Sequence, residues 1–104
     1  MTGPELTVGR GVINEMVRLA AFEVQGVARV SRGGPAWRAF LAGPPVVTQL
    51  SEEGVRVRVW IVARPAQALV PLADQVRTAV AAAVERLLGL RLESVVVTID
   101  GVGG

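Results

Sequence analysis

The stretch "EEGVRVRVWIVARP", residues 52–65, constrains the fold more than any other. Val55, Val57, Val59, Ile61 and Ala63 occupy the odd positions, and Arg56, Arg58, Trp60, Val62 and Arg64 the even ones. A strand sends successive side chains to opposite faces. The valine row therefore faces a core, because a slip of one residue would bury three arginines. The second row, three arginines around a tryptophan and a valine, faces water, a nucleic acid or a protein.

The strand needs covering elements, and the flanking sequence supplies them. "RGVINEMVRLAAFEVQ" places Ile13, Met16, Val17, Ala20, Ala21 and Val24 on one helical stripe, with Asn14, Glu15, Arg18 and Gln25 off it. Gly9 is its expected N-cap and Gly26 its expected end. "PLADQVRTAVAAAVERLLG", residues 71–89, carries a second stripe of Leu72, Val76, Val80, Ala83, Val84 and Leu87. Pro71 suits its first turn, Asp74 the positive end of its dipole, and Gly89 its exit. "VARVSR" (27–32), "VVTQL" (46–50) and "LRLESVVVTID" (90–100) read as further strands, and "LTV" in the lead of residues 1–8 is strand-like. "SEEG" turns 46–50 into the opening strand as an antiparallel hairpin. The long strand, second helix and last strand form a βαβ crossover, which makes the two strands parallel. The expected fold is α/β (α+β): a two-layer sandwich with two main helices on one face of a three- to four-stranded mixed sheet. No linker or repeat divides residues 1–104, so one domain is expected.

Function is bounded mostly by what is missing. The chain has no Cys, His, Lys or Tyr. That removes thiol nucleophiles, imidazole bases, Schiff-base lysines and the commonest zinc ligands. Glu52 and Glu53 sit in a turn, Ser31, Ser51 and Ser94 lack an activating base, and Asp74 and Asp100 lie on different elements. "GRGVINE" lacks the phosphate-loop lysine and the dinucleotide spacing. No enzyme activity, metal or cofactor is expected. A pI of 11.0 resembles a nucleic-acid signal. All 11 basic residues are arginine, however, and the net charge is only +2. No run reaches the roughly 18 apolar residues of a membrane span, and "MTGPELTVGR" lacks the pattern of a signal peptide. A cytoplasmic protein is expected.

Two surface features remain. One is the even-numbered row Arg56, Arg58, Trp60, Val62 and Arg64, beside which Ser94, Val96, Thr98 and Asp100 of the last strand should lie. Asp100 is positioned to pair with one of these arginines. The row reads as a solvated face, as an interaction or self-association face with Trp60 and Val62 at its apolar centre, or as a weak nucleic-acid contact through Arg56, Arg58 and Arg64. The other feature is "GGPAWRAFLAGPP", residues 33–45, a Gly/Pro-bounded loop in which "AWRAFLA" forms one or two helical turns. Its Trp37, Phe40 and Leu41 either lid the core or dock a partner or membrane surface.

The order of these segments resembles the alkaline shock protein family, the envelope stress response proteins of mainly Gram-positive bacteria. "GVINEMVRLAAFEVQGVARVS" is similar to the family's opening helix and strand. "GVRVRVWIVARPAQALVPLADQVRTAVAAAVERLLGLRLESVVVTIDGV" is similar to its strand, helix, "GL" exit and final strand, with Val95, Val97, Ile99, Gly101 and Val102 filling the ending. Gly9 and Arg10 depart from the Ser cap and acidic residue of many members. The middle loop is short, and the last strand lacks a polar residue near Val96. The resemblance implies a non-enzymatic cytoplasmic protein that self-associates, is held at the membrane by an integral-membrane partner, and serves cell-envelope homeostasis. It also implies an alternative, an accessory role beside metabolic kinases of the fatty-acid or dihydroxyacetone type.

Overall fold

The computed structural model describes residues 9–103. The strand-like "LTV" lies outside the described residues. Helix α1 (Arg10–Phe22) is followed by strand β1 (Val27–Val30), helix α2 (Ala36–Ala42), strand β2 (Val46–Ser51) and strand β3 (Gly54–Ala63). Helix α3 (Leu69–Ala82), one π-helical turn (Ala83–Leu87) and strand β4 (Leu92–Val102) complete the order. Helices α1 and α3 pack on each other and on one face of a four-stranded mixed sheet. This is the expected two-layer α+β arrangement.

Strand β3 is central. β4 runs parallel to it along one edge, with Val57 opposite Val95, Val59 opposite Val97 and Ile61 opposite Ile99. β1 and β2 share the other edge, both antiparallel: β2 lies along Gly54–Val59 and β1 along Ile61–Ala63. The inward row Val55, Val57, Val59, Ile61 and Ala63 is buried against Ile13, Val17 and Ala21 of α1 and Leu72, Val76 and Val80 of α3. Val95, Val97 and Ile99 face the same core but stay half-buried, because β4 stands at the sheet margin.

Local details differ from the sequence reading for identifiable reasons. Gly9 caps α1, its carbonyl accepting from the Ile13 amide at 3.2 Å. The helix stops at Phe22, however, before Gly26. Gly26 serves close approach instead: a Cβ there would lie 2.6 Å from Gln67 Oε1 and 2.8 Å from Leu72 Cδ1. Helix α3 starts at Leu69, so Pro71 still falls in the first turn, where its missing N–H costs nothing. Asp74 is then too far along for the dipole and pairs with Arg77 at 2.5 Å. The π turn, closed by the Leu88 amide on the Ala83 carbonyl at 3.1 Å, carries an extra residue. It shifts the apolar stripe, so Leu87 points outward, 70 % exposed, and Leu88 packs on the core in its place. Asn14, expected off the stripe, accepts a hydrogen bond from the buried Thr48 hydroxyl at 2.5 Å. That bond satisfies a polar group under α1.

Candidate functional site: the outer sheet face and its strap

The sheet face away from α1 and α3 is assembled around Trp60. In an antiparallel hydrogen-bonded pair, one residue supplies both the N–H and the C=O for its opposite number. Opposite Trp60 these roles are split. The Ser31 amide donates to the Trp60 carbonyl at 3.1 Å, and the Pro45 carbonyl accepts from the Trp60 amide at 2.8 Å. Val30 pairs with Ile61, and Val46 with Val59. β1 and β2 are thus one edge strand into which residues 31–45 are inserted at a single register position.

The first part of that insertion crosses the outer face as a strap. Arg32 lays its guanidinium 3.3 Å from the centre of the Trp60 ring, a cation–π contact, and its Nε donates to the Pro44 carbonyl at 3.2 Å. Arg58 approaches the same ring at 5.0 Å. The Gly33 amide donates to Asp100 Oδ2 at 2.8 Å. Gly33 sits so close to β4 that a Cβ would lie 1.7 Å from the Asp100 carbonyl oxygen. Only glycine fits there without moving the strap.

Several expectations for this face are therefore corrected. Trp60 and Val62 point away from the helices but are covered, at 8 % and 2 % exposure, by the strap and by Gly101 beside it. They cannot be the accessible centre of a docking face. Asp100 holds the strap by accepting the hydrogen bond from Gly33 and makes no ion pair with an arginine among the described residues. Arg64 lies past the end of β3 and is exposed, its amide donating to the Gly26 carbonyl at 2.9 Å. The chain then turns at Pro65 and at Ala66, whose φ is +65°. Arg64 borders a separate hollow with Phe22, Gly26, Gln67 and Gln75. The even-numbered row is broken at both Trp60 and Arg64.

What remains together is Arg56 and Arg58, beside Ser94 and Val96 as alternation placed them, with Glu93, Val47 and Gln49, which the sequence did not single out. A bulge places Leu92 opposite Val55 but Ser94 opposite Arg56, and Glu93 is the extra residue. Its carboxylate receives two parallel hydrogen bonds from Arg56, both 2.9 Å. The bond to Arg56 is the main reason the Glu93 carboxyl is held below the usual carboxylate range, and the Arg56 guanidinium is raised in turn. Val47, Gln49, Ser94 and Val96 complete a shallow depression of about 360 Å³ with these residues. Among the described residues this part of the face is uncovered, and Val96 is 49 % exposed.

The second expected feature lies elsewhere. Trp37, Phe40 and Leu41 are carried on α2 at 67 %, 85 % and 74 % exposure. They do not lid the core. α2 is bounded by Pro35 and by Gly43, whose φ of +99° suits glycine.

Among the described residues, no three His, Cys, Asp or Glu side chains converge on one point. No helix there is long and apolar enough to cross a membrane. The hollow between α1 and α3, about 380 Å³, is lined by Ala20, Val24, Ala79, Ala83 and Leu87, with Glu23 and Arg86 as its charged groups. It contains no nucleophile with a base beside it.

Comparison with solved structures finds the same fold in a zinc form of MamM CTD. The TM-score is 0.58 and the identity 20 %, over 88 % of this chain and 85 % of that one. A manganese form gives a TM-score of 0.58 and 20 % identity over 89 % and 99 % of the two chains. A copper form gives 0.59 and 19 % over 89 % and 98 %. Those metals belong to MamM CTD; the likeness to this chain is one of fold. No curated protein matches the sequence. The family model for alkaline shock protein 23, described as having a cell envelope-related function, matches residues 2–103. With that match spanning nearly its whole length, the chain belongs to the alkaline shock protein 23 family.

Proposed function

We propose that this chain is a non-enzymatic interaction module of the cell envelope that works by self-association through the open part of its outer sheet face. It acts at the cytoplasmic side, held there by an integral-membrane partner, as the family resemblance implies. The observation that carries this reading is the uncovered patch formed by Val47, Arg56, Arg58, Glu93 and Val96. Two valines supply an apolar centre, and the Arg56–Glu93 pair with Arg58 supplies a rim of both signs. A two-fold axis sets the same patch against itself, so a patch with its own cation and anion suits its own copy. Arg58, which has no ion pair among the described residues, is free for a carboxylate of that copy.

The nucleic-acid alternative loses the row of arginines it needs. Arg56 is neutralised by Glu93, and Arg64 lies elsewhere. Light scattering over a concentration series tests the proposal. The unmodified chain is expected to grow in mass with concentration. Val96→Asp is expected to weaken association at least tenfold, about 1.4 kcal/mol, with the fold retained. A chain that stays monomeric throughout, or associates equally well with the aspartate, contradicts it.

A further inference from the structure

The exposed face of α2 serves no purpose in the proposed self-association, yet it is presented with care. Trp37, Phe40 and Leu41 stand at i, i+3 and i+4, on one side of the helix. α2 packs only lightly on the other elements. The two ends of its loop are nevertheless fixed at one place, by Ser31 and Pro45 on the Trp60 backbone and by Arg32 bridging to Pro44. The loop is clamped at its base while its tip projects three large apolar side chains.

Charge distinguishes the occupants of such a tip. From Val24 to Ser51 the sequence contains Arg29, Arg32 and Arg38 and no Asp or Glu. These three positive charges exceed the +2 of the whole chain, so the remainder is net negative. Positive charge is thus concentrated on the segment that carries α2. Area points the same way. Two aromatic side chains of about 150–250 Å² each, with one leucine, fall short of the roughly 800 Å² per partner of a standard protein interface. An interfacial contact with lipid needs only buried apolar area and attraction to anionic headgroups.

The geometry points to α2 as a membrane-surface contact that inserts Trp37, Phe40 and Leu41 among the lipids of an anionic bilayer, with the exposed Arg38 toward the headgroups. This contact is independent of the outer sheet patch. A single small apolar tip gives weak, reversible binding, so clustering of several chains strengthens it through multivalency.

Co-sedimentation with vesicles tests the contact. The probes are vesicles of equal parts phosphatidylglycerol and phosphatidylcholine, and vesicles of phosphatidylcholine alone. The chain is expected to sediment with the anionic vesicles at low salt, with the emission of the exposed Trp37 shifted to the blue, and at least tenfold less with the neutral ones. The double substitution Phe40→Ser with Leu41→Ser is expected to reduce binding at least tenfold, while circular dichroism and lipid-free light scattering remain unchanged. Absence of binding to anionic vesicles, or undiminished binding of the double variant, overturns the inference. It is also overturned if the double variant loses association in the absence of lipid, which makes α2 a protein contact. A chain that binds vesicles yet stays monomeric supports the lipid contact and contradicts the self-association reading, so the two fail separately.

Discussion

Replacing Trp60 with alanine removes the ring on which the strap rests, and is expected to destabilise the fold by about 3 kcal/mol, as large core aromatics do. Trp37→Ala, on exposed α2, is expected to change stability by no more than about 0.5 kcal/mol. Urea unfolding of the two variants measures the contrast. Equal effects would mean that the strap does not cover Trp60. Alternation placed Trp60 on the outer face correctly, but alternation says only which way a side chain points. Whether anything lies on top depends on Arg32 and Gly33, some thirty residues earlier, which no local pattern connects to it. The Arg56–Glu93 pair was hidden for a similar reason, because a bulge moves Glu93 out of the regular β4 register. Folding lowers the Glu93 pKa below its ordinary 4.5, so the folded chain binds that proton less tightly than the unfolded one. The contribution is complete above the unfolded value and is lost as pH falls through the lower folded one. Arg56→Gln is expected to reduce stability near neutral pH and to flatten its decline below about pH 4.5. Denaturant midpoints taken across that range check it, and an unchanged slope would contradict the pairing.

At the scale of elements, the insertion between β1 and β2 is the feature that gives this sheet its character. The backbone of Trp60 is satisfied by two residues separated by the whole of the strap and α2. A variant in which a single threonine replaces residues 31–45 is expected to join β1 and β2 into one continuous strand in unchanged register. Its circular dichroism should retain the sheet and helices α1 and α3, while emission from Trp60 shifts red as the cover is lost. A variant that fails to fold would show that the strap is required for the sheet and is not an insertion into it. The strands, the hairpin, the crossover and both main helices were readable from hydrophobic period because each buries a regular row. The π turn was not, since "AAAVERLLG" carries apolar residues at both the α-helical and the shifted positions. The tertiary choice between Leu87 and Leu88 decided it. α2 itself was legible from its Gly/Pro boundaries, while the direction its apolar face takes depends on the clamp at Trp60.

For the whole molecule, one sheet face is closed by two helices, and the other is partly closed by a strap and partly open. The family match and the shared fold with MamM CTD establish the scaffold. The open patch around Val96 carries the proposal that copies of this chain meet there. Because the chain has no cysteine, a single introduced thiol reports on one place only. Ser94→Cys sits on the exposed outer face, and Gln75→Cys on the exposed side of α3. The most direct measurement is cross-linking of these two variants with a short bifunctional maleimide at a concentration where light scattering shows association. Self-association through the outer face predicts covalent dimers from Ser94→Cys and few from Gln75→Cys. Dimers from Gln75→Cys alone, or equal yields from both, would contradict it.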